Sequence, residues 1–365
     1  MDMKNIRPIA IYLPQFHPIP ENDQVWGKGF TEWTNVAKAQ PRFQNHYQPR
    51  HPADLGYYDL RLDQVRTEQA EMAKKHNIEG FCYYHYWFNG KRLLNQPLDD
   101  VISSKKPDFP FMLCWANENW TKRWDGKDEE VIIKQDYSHQ DDLDHITHLI
   151  PIFKDSRYIK IDGKPVFVIY KSHLFPDMKK TIDIWRAEAL KNGLEIYICR
   201  MEHYGFIGDK YLKPGFDAAV QFMPYLKTSR FKDSIIWRAN KMLKKIYGVD
   251  KLPYIYSYKK YVAQRCNDKF PEYKRFPCVT PMWDNSSRRD NKSFFALHNS
   301  TPKLFKKWIE AYLKKFTPYS KSENLFFINA WNEWAEGNYL EPDKKWGYAY
   351  LEAVKEAFSK IKKQN

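Results

Sequence analysis

Two glutamates three residues apart, Glu333 and Glu336, are the side chains whose type and spacing most clearly suggest chemistry. They follow an apolar, β-prone run at residues 325–331. On a helical turn, residues three apart lie on one face, about 5–6 Å apart at Cβ, and Gly337 permits such a turn to end tightly. Retaining glycosidases need two carboxyl groups about 5–5.5 Å apart. We therefore predict that Glu333 and Glu336 are a catalytic pair.

The plainer alternative for an ExxE spacing is a surface turn with two solvated glutamates. The apolar run before the pair and the neighbouring Trp331 and Trp334 argue against it here. Desolvation by such aromatic residues can also keep a proton on one carboxyl group near neutral pH. We therefore expect one of the two glutamates to have a raised pKa and the other to stay ionised.

Short apolar runs alternate with amphipathic helical stretches along the whole chain, a pattern typical of parallel α/β folds. The predicted strands are residues 8–13, 78–84, 111–115, 165–170, 195–200, 216–223, 278–282 and 325–331. The clearest predicted helices are residues 60–76, 179–192, 302–316 and 347–362. No linker or internal repeat divides the chain. We predict an α/β fold in which residues 1–365 form a single (β/α)8 TIM-type barrel.

Polar and aromatic side chains follow the predicted strands, where the active site of such a barrel lies. Aromatic residues make up 17% of the chain, and their faces stack on sugar rings while polar groups meet the hydroxyls. We expect half of the aromatic candidates to be ordinary core residues. The predicted substrate-binding residues are Tyr12, Gln15, His17, Glu32, Trp33, Tyr84, His85, Trp87, Trp115, Asn117, Glu118, Glu202, Asp284, Trp331, Asn332 and Trp334, with Trp26, Phe30, Trp120 and Trp283 as further aromatic candidates.

Two connections exceed an ordinary βα loop. Residues 14–56 are rich in aromatic residues and proline, and we expect them to fold over the barrel mouth as a lid. Residues 225–276 form a basic insertion, in which residues 227–260 carry ten Lys or Arg against two acidic residues. Ile236, Ala239, Leu243, Ile246 and Tyr247 lie there at helical spacing. This pattern fits peripheral contact with an anionic membrane, or an ordinary basic helix packed on the barrel.

The net charge of +14 favours anionic partners, but no nucleic-acid-binding motif accompanies it. No Gly-rich phosphate turn, metal-ligand spacing or nucleophile elbow is present, so we expect no cofactor and no metal.

No signal peptide or run of 18 apolar residues is apparent. The five cysteines have no pairing pattern and fit a reducing compartment. We therefore expect a cytoplasmic protein whose partner is a carbohydrate.

Five segments resemble the WbsX family of glycosyltransferases, which is associated with O-antigen and other surface-polysaccharide clusters of bacteria. They are IAIYLPQFHPIPEND, WGKGFTEW, GFCYYHYWF, CWANENW and NAWNEWAEGNYLEPD, and the resemblance covers residues 7–355. The WbsX family is similar in turn to family 99 glycoside hydrolases, endo-α-mannosidases with a retaining (β/α)8 barrel. Their NEWHEG motif implies that Glu333 activates the sugar 2-hydroxyl through a 1,2-anhydro intermediate and that Glu336 is the acid/base. The motif's histidine is Ala335 here, so mannose specificity does not follow.

The resemblance implies a cytoplasmic glycosyltransferase of surface-polysaccharide assembly. Its expected substrate is a carbohydrate, and a lipid-linked oligosaccharide is one candidate. An endo-acting retaining glycoside hydrolase is the alternative, because the same machinery can pass a sugar to water or to another sugar. A catalytically silent glycan-binding barrel is a third reading, and the presence of both glutamates counts against it.

Overall fold

The computed structural model of the chain describes residues 6–122, 127–203, 205–225, 235–248, 250–289 and 292–362. Strands and helices alternate through these ranges, as the sequence pattern predicts. The strands are β1 (Arg7–Tyr12), β2 (Gly80–Phe88), β3 (Lys91–Leu93), β4 (Phe111–Trp115), β5 (Trp120–Lys122), β6 (Lys127–Ile133), β7 (Lys160–Ile161), β8 (Lys164–Ile169), β9 (Tyr197–Glu202), β10 (Ala218–Gln221), β11 (Tyr254–Ser257), β12 (Arg275–Phe276), β13 (Cys278–Val279), β14 (Trp283–Asp284), β15 (Phe295–His298), β16 (Leu325–Ile328), β17 (Asn332–Glu333) and β18 (Asn338–Tyr339).

The central sheet is a parallel barrel with the strand order β12-β10-β9-β8-β4-β2-β1-β16-β13. The two ends of this order are neighbours in sequence, since only Pro277 separates β12 from β13. β12 pairs with β10, and β13 pairs with β16. The carbonyl of Pro277 accepts a hydrogen bond from the Phe327 amide (2.8 Å). One bent segment therefore closes the barrel, and the predicted (β/α)8 fold is confirmed.

The eight predicted strands each have a counterpart in the barrel, with bounds that shift by a few residues. The predicted strand at 278–282 differs most, because the structure has two short strands on either side of Pro277. Proline has no backbone N–H to donate to a ladder, so the strand is interrupted there. The strand predicted at 325–331 ends at Ile328, and all of its residues are buried, as in a strand covered on both faces.

The helices lie around the outside of the barrel or belong to its two long connections. They are α1 (Pro20–Trp26), α2 (Glu32–Lys38), α3 (Asp63–Lys75), α4 (Gln96–Ser104), α5 (His139–Phe153), α6 (Met178–Lys191), α7 (Ile235–Tyr247), α8 (Tyr258–Arg265), α9 (Pro302–Lys315) and α10 (Ala349–Lys362). The four helices predicted most clearly correspond to α3, α6, α9 and α10. In α9, Thr301 caps the first turn by accepting from the Leu304 amide, and Pro302 occupies a first-turn position that needs no N–H donor.

The two long connections contain regular structure. Residues 14–56 hold α1 and α2, and α2 is largely buried against the turn that carries Glu333 and Glu336: the rings of Trp33 and Trp334 are 5.3 Å apart. The basic insertion contains α7, β11 and α8. Its residues 226–234, including the predicted cations Lys227, Arg230 and Lys232, lie outside the described part of the chain.

Candidate active site

A short turn places the two predicted catalytic glutamates. Glu333 ends β17, and residues Trp334–Glu336 form one turn of 3-10 helix, in which residues three apart nearly eclipse one another. Gly337 ends the turn in the left-handed region (φ +52°). A Cβ atom there would lie 2.9 Å from Arg50 Cζ and 3.0 Å from Asp284 Cβ. The turn that the ExxE spacing predicts is therefore present, and it needs glycine for both conformation and space.

One arginine holds three carboxylates together beside this turn. Arg288 Nη2 lies 3.2 Å from Glu333 Oε2 and 2.7 Å from Glu32 Oε1, and Arg288 Nη1 lies 2.7 Å from Glu336 Oε1. Glu32 Oε1 also accepts the backbone amide of Ala335 at 2.9 Å. Both candidate catalytic carboxyl groups therefore contact the same planar guanidinium, which fixes them side by side.

The charges of this cluster do not balance. Three carboxylates face one guanidinium in a site where Glu32, Glu333 and Arg288 are all buried. Burial raises the pKa of Glu333 well above its ordinary value, and the nearby charge of Glu336 raises it further, while Arg288 partly opposes both. The raised pKa favours the protonated form of Glu333 relative to an exposed glutamate, and Glu336 forms a close ion pair with Arg288. A general acid and an ionised carboxylate side by side are what acid–base catalysis at a sugar needs.

The glutamates border a cleft of about 760 Å³ that is open to solvent on one side. Its aromatic lining comes from the carboxyl ends of several barrel strands and the segments that follow them: Tyr84, Tyr86, Trp120, Tyr170, Phe222 and Trp283. Glu118 adds a carboxylate to the rim and forms an ion pair with Lys171. A cleft that combines six aromatic residues with three carboxylates suits a polyhydroxylated ligand, whose rings stack while its hydroxyls donate hydrogen bonds.

The structure brings only part of the predicted set to this cleft. Glu333, Glu336, Tyr84 and Glu118 border it, and Glu32 lies behind Arg288. Of the further aromatic candidates, Trp120 and Trp283 border it, whereas Trp26 and Phe30 stack on each other with ring centroids 4.9 Å apart. The predicted residues that are not among its described lining are Tyr12, Gln15, His17, Trp33, His85, Trp87, Trp115, Asn117, Glu202, Asp284, Trp331, Asn332 and Trp334.

These remaining residues are buried, and many of them satisfy one another or the backbone. Asn332 Oδ1 accepts the Leu13 amide (2.8 Å), and Asn117 Oδ1 accepts the Lys171 amide (2.7 Å). His85 Nε2 lies 2.9 Å from His145 Nε2. These residues lie in or near the ends of strands, and their side chains are buried in the protein.

Several other side chains of this set are paired with buried residues outside the cleft. Trp87 Nε1 donates to Asp141 Oδ1 (2.7 Å), and Tyr12 donates to Gln69 Oε1 (2.7 Å). Glu202 is paired with Arg275 (3.2 Å). Asp284 contacts His46 (2.7 Å) and lies on a second cavity on the other side of the Gly337 turn.

Sequence reasoning missed Arg288, although it contacts both candidate catalytic groups. It occupies a short 3-10 turn, Asn285–Arg288, directly after β14, so it also follows a strand. The signal available was a cation just beyond Asp284 in a chain whose candidate carboxylates had no predicted cationic partner. Tyr170 and Phe222 were missed as well, because each lies in or next to an apolar run that predicts a core strand.

Within the described residues, no group of three or more His, Cys, Asp or Glu side chains is arranged to hold a metal ion. No helix in the same ranges combines the length and apolar character that crossing a membrane requires.

By its fold, the protein is an α/β barrel, and its candidate site is a carboxylate pair at the carboxyl ends of the barrel strands. The family model described as Glycosyltransferase WbsX matches residues 8–354, and the chain belongs to this family. Over 354 residues it is 39% identical to a protein named "Uncharacterized protein WxcX" from Xanthomonas campestris pv. campestris strain B100, and to its counterpart in strain ATCC 33913. The alignment covers 96% of this chain and 49% of each relative, so the chain spans about half the length of the curated relatives it matches.

Two solved structures share the fold at low sequence identity. One, a "Glycoside hydrolase-like protein", has a TM-score of 0.59 and 16% identity, with 98% of this chain and 95% of the other covered. The GH99 endo-alpha-mannosidase from Bacteroides thetaiotaomicron has a TM-score of 0.58 and 15% identity, covering 99% and 98%. These likenesses support the barrel architecture over almost the whole chain.

Proposed function

We propose that this protein is a glycan-active enzyme that transfers a glycosyl group with retention of configuration, using Glu333 and Glu336. The observation that carries the proposal is that both carboxyl groups border the cleft and share one guanidinium, Arg288. Membership of the WbsX glycosyltransferase family supports the reaction class. In this proposal residues 1–365 form one catalytic barrel, with residues 14–56 as its lid and residues 225–276 as its basic insertion.

The electrostatics of the free protein favour particular roles. Burial raises the pKa of Glu333, which favours Glu333 as the proton donor to the leaving group, with Glu336 ionised against Arg288. This is the reverse of the roles that the resemblance to family 99 hydrolases implies for the two positions. Both assignments need one protonated and one ionised carboxyl group. The raised pKa of Glu333 and the ion pair of Glu336 with Arg288 favour such a state.

Gln substitutions with two kinds of leaving group test the site and the roles together. Glu333→Gln and Glu336→Gln keep the side-chain shape but remove proton transfer, which typically costs about 10²–10⁴-fold in rate. The probes are a panel of aryl glycosides, whose departure needs an acid, and the matching glycosyl fluorides, whose departure does not. We expect Glu333→Gln to lose turnover of aryl glycosides and to retain turnover of the fluorides.

The matched control is Glu71→Gln, on the exposed side of α3, which should leave turnover unchanged. If Glu336→Gln is the variant that fluorides rescue, the roles are those implied by the resemblance. If both active-site variants keep full turnover on a glycoside that the wild type uses, the site assignment is wrong.

A retaining glycoside hydrolase is the second candidate, because the cleft is open to solvent and water can reach the glutamates. The fold shared with the Bacteroides thetaiotaomicron GH99 endo-alpha-mannosidase also accommodates this reading. Product analysis with an oligosaccharide acceptor separates the two: a transferase yields a lengthened oligosaccharide, and a hydrolase yields free reducing sugar. Glycan binding without either product would indicate the non-catalytic barrel.

The biological setting proposed is cytoplasmic assembly of a surface polysaccharide of the O-antigen type on a lipid-linked oligosaccharide, at the inner face of the membrane. Peripheral contact with anionic lipid through residues 227–260 is part of this proposal, supported by their excess of cations. Deleting the gene should leave lipid-linked oligosaccharides that lack one or more sugars. Unchanged oligosaccharides in the deletion strain would contradict the biosynthetic role.

A further inference from the structure

Helix α7 carries an apolar stripe that faces solvent. Ile235, Met242 and Ile246 are 85%, 69% and 71% exposed. They occupy positions i, i+7 and i+11, which fall on one face of an α-helix. Single exposed apolar residues are ordinary on protein surfaces, but three on one helix face are a feature that needs an explanation.

The opposite side of α7 is anchored to the segment that follows the helix. Asn240 is buried; its side-chain Nδ2 donates to the carbonyl of Leu252 (2.8 Å). Its Oδ1 accepts the amides of Lys251 (2.9 Å) and Leu252 (2.7 Å). At about 100° per residue, Asn240 lies roughly 140–160° around the helix from Ile235 and Met242. The stripe therefore points away from the anchored side. Of the apolar positions predicted from the sequence, Leu243 lies nearer to that side and is partly buried, whereas Ile246 belongs to the stripe and Tyr247 is 58% exposed.

Cations flank the stripe on one edge. Arg238, Lys241 and Lys245 are exposed, and at about 100° per residue they lie roughly 60–120° from it. Between residues 235 and 260 the only acidic residue in the sequence is Asp250. An exposed apolar strip bordered by cations is the arrangement of a helix that lies in the interface of an anionic membrane.

The helix belongs to the structures around the cleft. It lies in the connection that leaves the carboxyl end of β10, which is the side of the barrel where the cleft opens. The same connection supplies β11, which pairs with β15, and β15 pairs in turn with β14. β14 contributes Trp283 to the cleft wall. A surface bound by α7 would therefore adjoin the mouth of the candidate active site.

We propose that α7 docks the protein on an anionic lipid surface, with Ile235, Met242 and Ile246 inserted among the acyl chains and Arg238, Lys241 and Lys245 at the headgroups. Charge complementarity selects this occupant, since a purely apolar partner would leave the three cations without counter-charges. This inference rests on the proposed function for one point only, the lipid-linked substrate. The residues of α7 that would contact the lipid are separate from Glu333 and Glu336.

Vesicle co-sedimentation of the full chain tests the proposal, with phosphatidylcholine vesicles and vesicles of phosphatidylcholine mixed with phosphatidylglycerol. We expect binding to the mixed vesicles only, weakened by salt. Replacing Arg238, Lys241 and Lys245 by Gln should lower the partition coefficient about 10²-fold. Replacing Ile235, Met242 and Ile246 by Ser should lower it at least about tenfold.

The matched control is Leu62→Ser with Leu190→Ser, at exposed leucines (58% and 66%) away from α7; this variant should bind like the wild type. Absence of binding to the mixed vesicles at low salt overturns the proposal. So does a wild-type dimer in solution that the Ser stripe variant abolishes, since a second copy would then cover the stripe. Turnover of a water-soluble glycoside reports the proposed function separately, and the stripe variant should leave it unchanged.

Discussion

Replacing Arg288 by methionine should destabilise the protein in a pH-dependent way. The substitution keeps much of the volume but removes the cation that contacts Glu32, Glu333 and Glu336 at 2.7, 3.2 and 2.7 Å. Glu32 is fully buried, and Glu333 is only 6% exposed. Without Arg288 these carboxylates face each other with no guanidinium between them, so each must either stay charged at high cost or take up a proton.

The expected loss is about 3–5 kcal/mol at pH 8, the usual cost of leaving a buried ion pair without one partner. The cost should shrink at lower pH for a definite reason. In the variant, loss of the cation that opposes the effect of burial moves the pKa of Glu333 further above its unfolded value. Stability linked to such groups is retained at low pH and lost as pH rises. We therefore expect the difference from wild type to be at least about 1.4 kcal/mol smaller at pH 5, which corresponds to one unit of pKa shift in one group.

Urea denaturation followed by tryptophan fluorescence at pH 5 and pH 8 measures both quantities. Arg61→Met is the matched control, because Arg61 pairs with Asp59 (2.6 Å) on the surface, where its side chain is 45% exposed. Exposed pairs contribute about 0–1 kcal/mol, so this variant should change little at either pH. A loss below about 1 kcal/mol for Arg288→Met at pH 8, or one equal at both pH values, would refute the charge argument.

Two further predictions concern the same turn. Gly337→Ala should cost about 1–3 kcal/mol more than Gly56→Ala, because both glycines have positive φ (+52° and +60°) but only a Cβ at Gly337 would meet Arg50 within 2.9 Å; equal losses in thermal unfolding would contradict this. Burial raises the pKa of Glu341 to about 7 although Trp334 Nε1 donates to it (2.6 Å), so wild-type stability should fall between pH 4.5 and 7. Glu341→Gln should remove at most roughly 3 kcal/mol of that pH dependence, measured by denaturation across this range, and an unaltered slope would show that Glu341 stays ionised.

The fold could be predicted because buried parallel strands leave a plain mark in sequence. The run that becomes β4 was predicted at its observed bounds, 111–115, since apolar residues fill the whole strand. The seventh barrel strand could not be predicted in detail. Pro277, which divides it, is visible in the sequence. However, the half before Pro277 pairs with β10 and the half after it pairs with β16, and this choice of partners is a long-range property of the closed barrel.

The site was predictable where chemistry depends on local spacing, and less so where it depends on side-chain direction. Glu333 and Glu336 are held by a turn that the sequence encodes through their separation and Gly337. The direction of a side chain such as Asn117 or Glu202 is decided by partners far along the chain, here Lys171 and Arg275. Sequence position after a strand brings such residues to the correct end of the barrel, but it does not distinguish the cleft from the core.

The aromatic residues around the glutamates differ from the sequence prediction in what they contact. Trp334 was predicted to contact substrate, but it is buried, stacks on Tyr339 with ring centroids 3.7 Å apart and donates to Glu341. Its packing holds the turn in place and keeps water from its inner side. Burial is also the largest cause of the raised pKa of Glu333. Trp334 therefore belongs to the buried surroundings of the turn, whereas Trp120 and Trp283 line the cleft itself.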